Sequence, residues 1–475
     1  MKRAALCRGY FLLLGFVATA GMALLFARPA YAATVTVTNA LDGGPGSLRQ
    51  AVLDATAGDT VAFASAVFSV PQTITLTGGQ IVISKSLAVD GAASAIATPT
   101  ISGSGWTRVF SVSAGTSVTL SRLQIVDGAD MGGAGVYNAG KLVVTGSVLA
   151  GNVSQNAYGG AAYNAGTGEL TLIDSSVVSN QAHDPVGTYY VAGIYNDGLL
   201  TVVHSTFDHN VSMGISNGGV ATVVNSTFVD NVSAIGNHGT LGVSGSQFIR
   251  NTGGYSRDCL GGGGILNGGT AVAVNSTFAD NNACSGGGIL NYGAMSVVNS
   301  TFTGNHADYY DNTNPNNISG KGGAVANIMA AYSTGTLSVL NSTFSGNAAD
   351  VGGAAIYSES AVTLTNSIIA NSITGTNCLG SLNDGGHNLD EANTCGFTAA
   401  TSLTGTNPRL GPLGDHGDGV LTLPLLPGSP AIDAGDDATC PATDERGVAR
   451  PQGAHCDIGA YEASIWYRWL PVAQR

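Results

Sequence analysis

Between residues 132 and 372, apolar and polar positions fall into one frame that recurs nine times. Its anchor is a serine: Ser147, Ser175, Ser205, Ser226, Ser246, Ser276, Ser300, Ser342 and Ser367. Two apolar residues precede each serine by five and three positions, as in Leu142/Val144, Leu170/Leu172, Leu200/Val202 and Leu337/Val339. A large apolar residue follows two positions later: Leu149, Val177, Phe207, Phe228, Phe248, Phe278, Phe302, Phe344 and Ile369. Three positions on stands an asparagine (Asn152, Asn180, Asn210, Asn231, Asn251, Asn281, Asn305, Asn347), replaced only in the ninth copy by Ser372. A second asparagine leads most copies: Asn138, Asn164, Asn196, Asn217, Asn237, Asn267, Asn291 and Asn327. Glycine runs such as Gly159-Gly160-Ala161 and Gly286-Gly287-Gly288 come just before it.

Alternation at period two marks strands with one buried face. The serines are spaced 28, 30, 21, 20, 30, 24, 42 and 25 residues apart. The floor near 20 is one structural coil and the excess is loop. A coil of that length holds about three short strands joined by tight bends, stacked in register about 4.8 Å apart. The expected fold class is therefore all-β: a right-handed parallel β-helix with a short N-terminal capping helix and an irregular, disulfide-closed C-terminal region. Phenylalanine should stack on phenylalanine inside, and asparagine on asparagine at the bends. The 69 glycines suit bends that need positive φ, and would be costly in helices. A leucine-rich repeat would need leucine-dominated spacing, which is absent.

Residues 1–32 read as a secretory leader, with Lys2, Arg3 and Arg8, an apolar run from Phe11 to Phe26, and Ala30-Tyr31-Ala32 as the cleavage site. An uncleaved anchor is the alternative, but the run is short for a span. Residues 33–100 read as the N-terminal cap and first coils, with Ser47 and Gln50 forming a capping box over a helix whose apolar side is Leu48, Val52 and Ala55. Residues 101–375 are the repeats, 376–462 an aperiodic C-terminal domain, and 463–475 a tail.

Removal of the leader takes away Lys2, Arg3, Arg8 and Arg28 and no acid, moving the formal charge from −13 to −17. An acidic chain lacks the footprint of a nucleic-acid binder and should avoid anionic lipid. No membrane-spanning segment is expected after the leader. Six cysteines then remain, an even number in an oxidising compartment. Cys259 and Cys284 occupy near-equivalent positions on neighbouring coils, so a bridge between them is reachable. Cys378/Cys395 and Cys440/Cys456 are the local pairs. Zinc is disfavoured, because no CxxC pair is present.

Chemistry-bearing residues gather in two places. Two positions after the large apolar residue, consecutive coils carry His209, Asp230, Arg250 and Asp280. Stacked, they would place Asp230 between an imidazole and a guanidinium, the best catalytic-like constellation in the chain; otherwise they form a surface charge ladder. The long insertions enter at one corner, at 181–190, 252–260 and 306–321. They carry His183, Asp184, Tyr189, Tyr190, Tyr255, Asp258, Asp308, Tyr309, Tyr310 and Asp311. Insertions gathered on one side mark a binding face, and tyrosine beside carboxylate suits sugar rings and hydroxyls. No cofactor or metal is expected. The stretch Asp311-Asn312-Thr313-Asn314-Pro315 hints at Ca²⁺, but Thr313 and Pro315 stand where acids would be wanted. Asp415-His416-Gly417-Asp418 reads as an acidic turn.

The Gly322-Gly323-Ala324-Val325 and Phe344-Ser345-Gly346-Asn347 pieces resemble the repeats of polymorphic outer-membrane proteins, surface-displayed β-helical adhesins. The segment Gly46-Ser47-Leu48-Arg49-Gln50-Ala51 looks like the start of many secreted bacterial β-helix proteins. A third set comprises Asn407-Pro408-Arg409-Leu410-Gly411-Pro412-Leu413, Leu426-Pro427-Gly428-Ser429-Pro430-Ala431-Ile432-Asp433-Ala434-Gly435, Asp444-Glu445-Arg446-Gly447, Arg450-Pro451 and Cys456-Asp457-Ile458-Gly459-Ala460-Tyr461-Glu462. It closely resembles the choice-of-anchor Q domain. These resemblances imply a secreted or surface-anchored β-helix and carry over no catalytic residue. The terminal membrane barrel of the outer-membrane proteins has no counterpart here, so self-translocation by that route is not expected. The expectation is a non-enzymatic secreted, cell-surface or outer-membrane protein that adheres to glycan or another cell surface through its Tyr/Asp edge. The alternative is a polysaccharide lyase or glycoside hydrolase using that edge or the His209–Arg250 column.

Overall fold

In the computed structural model, the described residues are 33–92, 97–182, 191–211, 213–253, 261–308, 320–330, 333–417 and 419–464. The chain winds into a parallel β-helix with three long sheets of fourteen, twelve and fourteen strands. The leading sheet collects the apolar pairs before each serine, running from Thr34–Val37 onward. The phenylalanine sheet holds the strands after the serine, and the asparagine sheet those ending in the leading asparagine.

Like residues pair with like. Phe207, Phe228, Phe248, Phe278, Phe302 and Phe344 are direct register partners. Their rings stack at 4.6–5.1 Å, within 12° of parallel, and all are fully buried. Each adds roughly 2–3 kcal/mol of apolar burial.

Buried polarity is carried by three side-chain ladders. From Asn138 to Asn327 each amide donates to the carbonyl oxygen of the next asparagine at 2.7–2.8 Å. A second ladder from Asn152 to Asn347 does the same at 2.9–3.1 Å. In the third, each serine hydroxyl accepts the backbone N–H of the serine one coil earlier, as Ser226 does from Ser205 and Ser246 from Ser226. Bend groups that would otherwise be buried without partners are thereby satisfied.

The cap helix α1 (Leu48–Asp54) starts at Ser47, whose side chain accepts from the Gln50 N–H. The reciprocal half of the box is missing, because the Gln50 side chain donates to Asp54. Leu48, Ala51, Val52 and Ala55 are buried against the first coil. Two cations fasten this lid. Lys85 donates to the Leu53 and Ala55 carbonyls at the helix C-terminus, and Arg49 reaches Asp42, Gly79 and Gln80.

The sequence-drawn boundary at 375 falls one coil short. Cys378–Gly380 pairs with Ile356–Ser358, and Leu389–Asp390 pairs with Ile368–Ile369 and then with Leu403–Thr404. The period was hidden because Asn388 stands in for the tenth serine, accepting the Ser367 N–H. Cys378–Cys395 and Cys440–Cys456 are both formed. Cys284 is disulfide-bonded, and its expected partner Cys259 lies outside the described residues.

After Thr404 the chain turns back and lies along the outside of the phenylalanine sheet. Gln247 donates to Gly419 O (2.7 Å), Thr277 to Leu421 O (2.6 Å) and Asn299 to Thr443 O (2.7 Å). Ala460 N donates to Thr343 Oγ1 (3.0 Å), and Gly459 N to Asn366 O (2.8 Å). Gly459 has φ +98°, and a β-carbon there would meet Ile368 Cδ1 at 2.7 Å. Within this segment Arg446 pairs with Asp444 and lies 3.5 Å over the Tyr461 ring. Arg450 pairs with Glu462, both side chains fully buried. Among the described residues, no helix is long and apolar enough to cross a membrane.

Candidate functional site: a tyrosine shelf on the asparagine sheet

In the coils of Tyr137, Tyr163 and Tyr195, the three paired residues ending in asparagine turn their first and last side chains inward, so the central residue faces out. In three consecutive coils that residue is tyrosine: Tyr137 pairs with Tyr163, and Tyr163 with Tyr195. Their ring centroids are 5.5 Å apart in both steps, with interplanar angles of 75° and 71°. Tyr158, at the end of the strand Val153–Tyr158, adds a fourth ring. It stacks 5.9 Å from Tyr163 and meets Tyr195 edge-on at 5.0 Å. Tyr158 is 41% exposed, and the other three are half-buried. Gly159 makes the approach feasible. Its φ is +55°, and a β-carbon would lie 2.0 Å from Ala162 O.

The polar rim is specific. Tyr163 donates its hydroxyl to Asp197 at 3.0 Å. Burial, and then the Asp197 carboxylate, push the Tyr163 phenol up to about 12 and raise Tyr195 as well. Both phenols therefore remain donors. Arg108 sits 5.2 Å over the Tyr137 ring and is held by Asp130 (2.9 Å), Gln80 (2.8 Å) and the Gly132 and Gly133 carbonyls (2.8 and 3.0 Å). Four rings, two phenol donors and an exposed carboxylate make a surface for stacking and hydroxyl recognition.

The column His209, Asp230, Arg250 and Asp280 lies at left-handed bend positions, with φ of 50–55°. Arg250 clamps Asp230 with two bonds of 2.9 and 2.8 Å. The Arg250 hydrogen bond holds Asp230 below the usual carboxylate range, and Asp230 in turn raises Arg250. Neither is poised to move a proton at neutral pH. His209 pairs with its chain neighbour Asp208, a residue the column search missed. Asp280 follows beneath, its carboxylate filling the space beside Gly304.

Of the insertion residues, Asp308 is described. It accepts from His306 Nδ1 (2.9 Å) and Asn282 Nδ2 (2.7 Å), while His306 Nε2 meets Asp350 at 3.0 Å. His183, Asp184, Tyr189, Tyr190, Tyr255, Asp258, Tyr309, Tyr310 and Asp311, with the Asp311–Pro315 stretch, lie outside the described residues. A polar pocket of about 260 Å³ opens where Gly419 meets the coil, lined by His204, Asn225, Thr227 and Gln247. The shelf tyrosines had a sequence signal, the dipeptide Tyr-Asn at 137, 163 and 195. It becomes visible only when the column preceding each leading asparagine is read down the coils.

No family model matches this chain, so neither the choice-of-anchor Q nor the outer-membrane repeat resemblance is reproduced by one. No curated protein matches it either. Among solved structures it is similar to a pectate lyase, Pel9A, with 16% identity and a TM-score of 0.42, covering 91% of this chain and 96% of that one. It is also similar to a PL6 alginate lyase in complex with trisaccharide, with 11% identity and a TM-score of 0.49 over 88% and 95%. The PL6 alginate lyase AlyGC gives 13% and 0.39 over 93% and 60%.

Proposed function

We propose that this protein is an extracellular glycan-binding rod that adheres to sugar chains through the shelf of Tyr137, Tyr158, Tyr163 and Tyr195. The observation that carries this reading is three rings on an outward strand face, joined by Tyr158 from the adjoining strand, with Asp197 beside them. Clustered exposed aromatic residues cost solubility unless they meet a ligand. The leader-like residues 1–32 and the disulfides support an oxidising, external location. Binding at this shelf replaces the expected loop site with strand residues on a fixed scaffold, and needs no metal.

The experiment is a glycan array probed with the chain lacking residues 1–32, followed by titration of the hits. Tyr163→Ala with Tyr195→Ala should weaken binding about a hundredfold, roughly tenfold per ring. Unchanged affinity in that double variant sinks the reading. Polysaccharide cleavage is the second reading. It is favoured by His306, held between the Asp308 and Asp350 carboxylates near an insertion corner. Incubation with pectate, alginate and neutral polysaccharides, scored for unsaturated products and new reducing ends, tests it. Turnover that His306→Ala abolishes would establish it.

A further inference from the structure

Resting on the glycan-binding reading, we infer that the shelf takes a neutral, extended glycan chain laid along the rod axis, and discriminates against uronate or sulfated chains. Three observations carry this. The first is charge. Arg108 is the one cation over the tyrosine rings among the described residues, and its guanidinium is spent on Asp130, Gln80, Gly132 and Gly133. A second cation of the coil, Lys141, is bound to Glu169 at 2.8 Å. Among the described residues, the cations at the rings are thus already paired, and an anionic sugar would face the exposed Asp197 carboxylate at short range, where like charges repel. The chain's formal charge of −13 adds to this at distance.

The second observation is hydrogen-bond polarity. The Tyr163 hydroxyl hydrogen is committed to Asp197, so its oxygen is left to accept. Asp197 also accepts. Asp197 and the Tyr163 oxygen thus offer acceptors beside the Tyr195 phenol donor, a mixed rim that suits sugar hydroxyls and sets a carboxylate against a uronate's own. The third is spacing. One tyrosine per coil, 5.5 Å centroid to centroid, is close to the rise of one sugar unit in an extended pyranose chain. Successive rings meet edge-on, at 75° and then 71°.

The test is calorimetric titration, at low salt, with β-1,4-linked oligomers of glucose, xylose and mannose of two to six units, against galacturonate and mannuronate oligomers of the same lengths. At least one neutral series should bind, with affinity rising to about four units and then levelling. Uronates should bind at least tenfold more weakly, and Asp197→Asn should narrow that gap. Uronates binding as well as neutral chains, with both lost in Tyr163→Ala, would overturn this inference and leave the glycan reading standing. Binding of no oligomer, or binding that survives Tyr163→Ala and Tyr195→Ala in folded protein, would overturn the glycan reading itself. Tyr163→Phe, which keeps the ring and loses the hydroxyl, should retain stacking and reduce affinity by no more than about threefold.

Discussion

In the coil, buried polarity is neutral and repeated, asparagine to asparagine and serine to backbone, until Asp390 is buried in one of the last coils. In residues 405–464 it is ionic and used once. Arg446 holds Asp444 and Arg450 holds Glu462, while Glu445 is buried against Thr277 and Thr301. A neutral ladder costs little to extend, since every new rung brings its own donor and acceptor. A buried ionic cluster is all or nothing, because removing one partner strands a charge. The coil should therefore fail gradually and the folded-back segment abruptly.

The sharpest attack on that contrast is Phe278→Ala, which removes a ring stacked on both sides. We expect a loss of about 4 kcal/mol, measured by urea denaturation. If the coil distributes its stability, neighbouring rungs will still resist proteolysis. Next, Arg450→Ala should cost about 3 kcal/mol by leaving Glu462 unpaired. Its signature is early protease cleavage between 405 and 464, with the β-sheet circular dichroism of the coil intact. Simultaneous loss of both would show that the two regions unfold as one.

Proton linkage separates the two ends of the molecule. Burial, and then the Glu462 charge, push Asp457 up to about 7, and burial raises Glu445 and Glu462 as well. Carboxyls raised in the folded state bind more protons folded than unfolded, so their contribution is full below pH 4 and lost as pH rises through about 7. The folded-back segment should lose roughly 2–4 kcal/mol across that window. At the N-terminal lid the sign reverses. Burial pushes Asp42 up, but Arg49 and the Thr77 and Gly78 N–H groups outweigh it and leave Asp42 lowered. The lid therefore weakens only in acid. Hydrogen exchange at pH 5 and pH 8 should show the segment, and not the lid, opening at the higher pH. The smallest expected effect is Asp230→Asn. It breaks an exposed pair and should change stability by about 0.5 kcal/mol or less, with no change in glycan affinity.

Much of this was legible because the coil is local and periodic. Phe207 to Phe344 and both asparagine ladders could be read from spacing, since register partners recur at one-coil intervals. The lid was legible from Ser47 and its apolar face. The fold-back was not. Glu445 meets Thr301 and Thr277 across 144 and 168 residues, and no repeat announces a contact made once. In the His209–Arg250 column Arg250 bonds Asp230 across one coil, while His209 turns to its chain neighbour Asp208, a contact that column spacing does not announce. The shelf escaped because tyrosine was sought in insertions, where length suggests function, and not on strands.

The asparagine ladder also runs one way. Every amide from Asn138 to Asn291 donates toward the C-terminal coil, and Asn327 ends the file on Ser360. A direction without a fixed length is an editable design. The step from Ser226 to Ser246 is a bare 20-residue rung, so duplication or loss of such a unit leaves every neighbour with an equivalent partner. Rods of different length lie within a single duplication or deletion of one another.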